Sequence, residues 1–187
     1  MPPTRPTVLL IGLRGSGKST LGAALASRLG APFADLDRDV LERLGARTVR
    51  EAWDAAGEPA FRAAETGALE ARLSERGMVV ALGGGTPTAP GAADLIRGAR
   101  TAGAARVVYL RAAPGALRTR LASDDPDRPS LTGGDPLAEI GRVHAARDGL
   151  YRELADAVID ASGAPERVGS EMLDVVRGWW GDQAAME

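Results

Sequence analysis

The 187-residue chain has no cysteine, one histidine and one lysine. Without cysteine there are no disulfides, iron–sulfur clusters or Cys-type zinc sites, and a reducing compartment fits. A single imidazole leaves a His-based metal centre or a Ser-His-Asp triad almost nothing to work with. That residue, His144, is expected to be a partly exposed helical one. No apolar run approaches the ~20 residues needed to span a bilayer. The opening Met1-Pro2-Pro3-Thr4-Arg5-Pro6 lacks a signal-peptide apolar region. Strong charge of one sign is missing too: a net charge of −2 gives no electrostatic case for nucleic acid as main partner. What remains, 44% hydrophobic and 26% charged residues, is the balance of a soluble globular protein, expected to be cytoplasmic and to form one domain over 1–187.

The scarcest basic side chain marks the most informative stretch. Twenty-two of the 23 basic residues are Arg, and the one Lys falls in Gly12-Leu13-Arg14-Gly15-Ser16-Gly17-Lys18-Ser19-Thr20. This fits the phosphate-loop pattern G-x-x-x-x-G-K-[ST] at every specified position. An apolar strand candidate, Thr7–Ile11, precedes it, and a helical pattern with Leu21, Leu25 and Leu29 follows. Glycines let the backbone wrap closely round an anion, and the helix aims its positive end at the same point. A compact ammonium enters a ring of phosphate oxygens where a planar guanidinium does not fit. Lys18 is expected to reach the β- and γ-phosphates and Ser19 to ligate Mg²⁺. The plain alternative is a tight strand–helix turn.

Apolar strand candidates recur at 7–11, 32–36, 78–82, 106–110 and 157–159. Helical patterns separate them, at 18–29, 38–44, 49–55, 59–76, 92–103, 114–121, 137–154 and 165–179. The alternation predicts an α/β fold: a five-stranded parallel sheet with helices on both faces, a three-layer sandwich of P-loop NTPase type. A polar stretch rich in Asp, Pro, Gly and Ser, approximately 122–135, is expected to be a mobile lid. The end of the chain, approximately 180–187, reads as a frayed tail, with Trp179 and Trp180 available to pack back onto the body.

Other constellations have two readings each. Asp35 and Asp37 lie two apart at the end of the second strand candidate, where both carboxylates can face the ligand crevice; Asp37 also suits a helix N-cap. Gly83-Gly84-Gly85-Thr86 follows the third strand candidate, as a close approach to a ligand or as a flexible loop. Arg62 and Glu65 sit at i,i+3, an ordinary surface pair or an Arg held ready for a substrate carboxylate. Arg147 poses the same choice. Arg128, in the polar stretch, is either a solvated side chain or a cation brought to a transferring phosphoryl group.

In this order, Gly12–Thr20, Asp35-Leu36-Asp37, Gly57–Glu65 with Phe61-Arg62, Gly83–Gly85, Arg128-Pro129 and Arg147 with Leu150-Tyr151 resemble the shikimate kinases. The resemblance runs from about Val8 to about Asp160 and implies transfer of the ATP γ-phosphoryl group to the 3-hydroxyl of shikimate. It implies an ATP site at Gly15, Ser16, Gly17, Lys18, Ser19, Thr20, Arg120, Arg128 and Pro129. Mg²⁺ would be held by Ser19 and, through water, by Asp35. Asp37 would hold the substrate hydroxyls and act as candidate base, with Lys18 and Arg128 as its catalytic companions. Arg62 and Arg147 would grip the carboxylate, Gly83, Gly84 and Gly85 would line the pocket, and Trp53 and Phe61 would form its apolar wall. The shikimate-binding helices would span approximately 38–76. Two departures, Ser130-Leu131 for a pair of leucines and Asp148-Gly149 for x-Pro, bear on lid packing and helix bending. The partners implied are small molecules only, with no nucleic acid and no membrane, and the chain is expected to be a monomer.

A gluconate or nucleotide kinase is a competing expectation, although a neutral or base-bearing acceptor has no need of Arg62 and Arg147. A GTPase would want Asn-Lys-x-Asp, and Lys18 is the only lysine. A non-catalytic shikimate- or nucleotide-binding regulatory module is the third alternative.

Overall fold

The computed structural model describes residues 5–123 and 136–181. Five strands, β1 (Thr7–Ile11), β2 (Phe33–Asp35), β3 (Val79–Ala81), β4 (Ala105–Arg111) and β5 (Ala157–Asp160), form one parallel sheet in the order β2-β3-β1-β4-β5. β1 lies at the centre, with Leu9 opposite Val80 of β3 and Val107 of β4. A strand covered on both faces should be apolar throughout rather than alternating. Val8, Leu9, Leu10 and Ile11 accordingly show no solvent exposure, and each such side chain contributes roughly 1.5–3 kcal/mol by burial.

The helices are α1 (Lys18–Leu29), α2 (Leu36–Leu44), α3 (Val49–Leu73), α4 (Ala92–Thr101), α5 (Pro114–Ser123), α6 (Pro136–Leu154) and α7 (Pro165–Trp180). α1 packs against α7 and β3, whereas α4 packs against β4, α3 and α6. The expected three-layer α/β arrangement is therefore what the chain adopts. Thr48 caps α3 by accepting from Glu51 N at 3.1 Å. Inside α3, Gly57 takes φ 77° and ψ 163°, which breaks the helix where the sequence suggests two. Pro59 follows the break, where a missing N–H is harmless.

Three expectations need correction. The second strand ends at Asp35, and Asp37 lies in the first turn of α2, so the two carboxylates are not strand neighbours on one face. Asp35, not Asp37, is the N-cap, its carboxylate accepting from Asp37 N at 3.1 Å. His144 is buried, at 9% exposure, rather than partly exposed. The packing back that the sequence allows for the terminal tryptophans is seen at Trp180, the last residue of α7, which is buried with its indole N–H donating to Pro6 O at 2.9 Å. The Arg5 guanidinium stacks over the same ring at 5.3 Å. Among the described residues no helix is long and apolar enough to cross a membrane.

Candidate active site

The loop between β1 and α1 is built around backbone that only glycine adopts easily. Gly17 caps α1 at φ 93° with no side chain bonding to the first turn, so the helix's leading N–H groups stay available to an anion. At Gly12 a Cβ would stand 2.6 Å from Leu110 O and 2.7 Å from Ser16 Oγ, so no other residue fits. Ser16 is buried, its N–H donates to Leu13 O at 3.2 Å, and its hydroxyl has no partner among the described residues. The Lys18 ammonium donates to Gly12 O at 2.9 Å and Leu13 O at 3.0 Å. Burial pulls its pKa down to about 8, against the opposing pull of Asp37 and Asp35.

Ser19 and Asp35 meet beside this loop, the hydroxyl donating to Asp35 Oδ2 at 2.5 Å. Two hard oxygen donors therefore sit together at the carboxyl end of the sheet, close to the phosphate loop. On the loop's other flank Arg120 donates to Gly15 O and Gly163 O, each at 3.2 Å.

Opposite, the loop after β3 brings the glycines against charged groups. A Cβ at Gly83 would lie 2.5 Å from Asp37 Oδ1, one at Gly84 3.0 Å from Arg14 N, and one at Gly85 2.6 Å from Arg62 Nη1. Close approach, rather than loop flexibility, is what those glycines supply. The Gly84 carbonyl accepts from Arg147 Nη1 at 2.9 Å and from the Tyr151 hydroxyl at 2.7 Å. Tyr151 is fully buried, which pushes its hydroxyl pKa up to about 12.

Arg62 and Glu65 form no surface pair. Their nitrogen and oxygen are 2.7 Å apart, with the side chains 14% and 3% exposed. The second Glu65 oxygen accepts from the buried Thr86 hydroxyl at 2.7 Å. The same guanidinium lies 5.3 Å from the Trp53 ring centre, and Trp53 and Phe61 pack at 5.3 Å with a 54° tilt. The break at Gly57 makes that meeting possible, since it turns the Trp53 segment back over Phe61.

These parts line one cavity of about 500 Å³. Its lining includes Gly15, Gly17, Lys18, Ser19 and Thr20 of the phosphate loop together with Asp37, Trp53, Phe61, Arg62, Gly84, Gly85 and Arg147. Ser16, Asp35, Gly83 and Arg120 lie behind the lining, in contact with residues that form it. Arg128 and Pro129, with most of the expected lid, lie outside the described residues. Four contributors have no role assigned from the sequence: Thr86, which holds Glu65; Tyr151, which shares Gly84 O; and Arg14 and Glu139, which line the cavity. Thr86 directly follows the three glycines, and that adjacency was the available signal. Glu139 had one as well, since it lies about two helical turns before Arg147 on the same helix.

The chain's likeness to known proteins agrees with this geometry. Residues 14–177 match the family model described as shikimate kinase. A shikimate kinase of Oleidesulfovibrio alaskensis is 43% identical over 172 residues, covering 89% of this chain and 94% of that one. One of Halorhodospira halophila is 37% identical over 176 residues, covering 94% and 96%. Among solved structures, the shikimate kinase of Acinetobacter baumannii, in complex with shikimate, superposes with a TM-score of 0.82 at 31% identity, covering 94% of each chain. With the phosphate loop and the paired arginines lining one cavity and relatives matched over most of both chains, this chain belongs to the shikimate kinase family.

Proposed function

We propose that the chain transfers the γ-phosphoryl group of ATP to the 3-hydroxyl of shikimate. The observation that carries this is one shared cavity, which brings the Lys18 ammonium together with the Arg62 and Arg147 guanidiniums and the Asp37 carboxylate. ATP enters with its phosphates on the loop around Lys18. Arg120, beside Gly15, flanks the adenine. Arg62, braced by Glu65, and Arg147 grip the shikimate carboxylate, and Trp53 and Phe61 cover the ring's apolar face.

Asp37 takes the 3-hydroxyl as hydrogen-bond acceptor and receives its proton as the oxygen attacks. The new oxygen–phosphorus bond forms as the bond from Pγ to the β,γ-bridging oxygen breaks, and ADP leaves with that electron pair. Little covalent chemistry falls to the protein, so positioning and charge neutralisation supply most of the acceleration. Arg128 is assigned, from the resemblance alone, as the cation that completes charge neutralisation.

The residues fit Mg²⁺, because the Ser19 hydroxyl and the Asp35 carboxylate converge at 2.5 Å and magnesium favours such oxygen donors together with phosphate and water. Among the described residues no group of three or more carboxylate or imidazole ligands gathers, so the ion would share its coordination with the nucleotide. When bound, it neutralises phosphate charge. Ser19 would hold it directly and Asp35 through water.

ADP release measured with shikimate, gluconate and nucleoside monophosphates as acceptors tests the reading. Shikimate-dependent release is expected. Turnover of another acceptor with none for shikimate would refute it.

A further inference from the structure

We infer that Asp148 is a positioning residue, which braces α6 against β4 so that Arg147 meets the substrate carboxylate. The inference rests on the reading that Arg147 grips that group.

Asp148 follows Arg147 in sequence and therefore points about 100° further round the helix. On that side it meets β4. Tyr109 Oη donates to Asp148 Oδ1 at 2.9 Å and Arg111 Nε donates to the same oxygen at 2.8 Å. Asp148 Oδ2 accepts from Arg152 Nε at 2.9 Å, one turn further along α6. The His144 imidazole stands one turn back, with Nε2 3.8 Å from Oδ1. Three hydrogen bonds from two elements thus converge on one largely buried carboxylate, 20% exposed.

Burial alone would raise the Asp148 pKa, but the bonds from Arg111, Arg152 and Tyr109 outweigh it and hold the carboxyl well below the usual range. The brace therefore stays ionised across any working pH.

The adjoining side of the same turn carries the site. Arg147 Nη1 and Tyr151 Oη both end on Gly84 O, at 2.9 and 2.7 Å. Tyr151 also meets the Tyr109 ring edge-on, at 5.5 Å and 86°. A helix free to rotate or slide would break both bonds to that one carbonyl. Packing of Tyr151 on Tyr109 limits translation, but an aromatic contact tolerates rotation that hydrogen bonds do not. The fixed acceptor for Tyr109 and Arg111 supplies the missing constraint, at the turn from which Arg147 departs.

Steady-state kinetics on Asp148→Asn, Tyr109→Phe, Arg147→Ala and the Asp148→Asn/Arg147→Ala double variant test this. Asp148→Asn is expected to raise the shikimate KM on the order of tenfold, as contacts in one network couple strongly. Tyr109→Phe should raise it less, with kcat and the ATP KM within about twofold of wild type for both, as expected when only uniform binding is lost. On the Arg147→Ala background, Asp148→Asn should add less than about twofold, because its effect acts through the missing side chain. A folded Asp148→Asn enzyme with wild-type shikimate KM, equal damage to ATP, or full additivity with Arg147→Ala each overturns the inference. Should Asp148→Asn fail to fold, a wild-type KM in Tyr109→Phe overturns it. If Arg147→Ala itself leaves the shikimate KM unchanged, the carboxylate role of Arg147 falls and the brace's purpose with it. If only Asp148→Asn is silent, the inference alone falls.

Discussion

Two kinds of cation divide the cavity, and they should respond differently to pH. Lys18 is an amine pulled down to about 8 by burial, whereas a guanidinium keeps its charge at any working pH. Folding favours its neutral form, so between about 8 and the ordinary 10.5 the folded chain binds fewer protons than the unfolded one. This group therefore opposes folding below about 8, and that opposition fades as pH rises. For catalysis the sign is reversed, because the ammonium is the useful form. The kcat/KM for ATP, which reports free-enzyme ionisations, should fall as pH rises past about 8, while kcat/KM for shikimate at saturating ATP stays flat. An ATP profile flat to about pH 9.5 would show that Lys18 keeps an ordinary pKa. Arg62→Ala should act on the other ligand. Losing a charge-assisted contact should raise the shikimate KM about 10- to 100-fold, with the ATP KM nearly intact; equal loss for both would remove the carboxylate role. Lys18 was legible because its loop follows a rule of local geometry and because it is the chain's only lysine. The buried state of Arg62 and Glu65 was not legible, since i,i+3 spacing is the same at a surface and in an interior. What buries them is the Gly83–Gly85 loop, distant in sequence.

Among the elements, three connections, β1 to α1, β2 to α2 and the loop after β3, make the site together with α3 and α6, which carry Arg62 and Arg147. The strand candidates lay close to their true bounds, because a parallel strand buried on both faces reads as a short apolar run. The break in α3 was readable as well, from Gly57 and Pro59 together. The strand reading of Asp35 and Asp37 failed because it extended β2 by two residues. Once Asp35 turns to cap α2, Asp37 reaches the crevice from a helix instead. The burial of His144 depends on which face of α6 meets β4, a tertiary choice that local pattern does not contain. The third connection offers a clean test. Gly85 has φ −111°, open to any residue, so Gly85→Ala adds only a methyl 2.6 Å from Arg62 Nη1. Displacing that flexible end should raise the shikimate KM on the order of tenfold without affecting ATP. An unchanged shikimate KM would mean that Arg62 works equally well from another position.

The whole molecule closes on itself through α7. Trp180 bonds to Pro6 O just ahead of β1, tying the last helix to the strand that launches the phosphate loop. Trp180→Phe keeps most of the packing and removes that bond, worth about 1 kcal/mol, so Tm should drop by about 2–4 °C. Kinetic constants below the transition should not move, and a loss of turnover at constant Tm would contradict a purely structural role. The sheet order sets the loops after β1 and β3 side by side; β/α alternation made the parallel sheet legible but not that order. The proposed reaction requires this cavity to present one hydroxyl of shikimate to the γ-phosphate. Phosphorus–proton correlation NMR of the product made from ATP, Mg²⁺ and shikimate tests it most directly. The prediction is a single phosphorylated product whose phosphorus couples to the ring proton at carbon 3. Coupling to a different ring proton, or no phosphorylated shikimate at all, would contradict it.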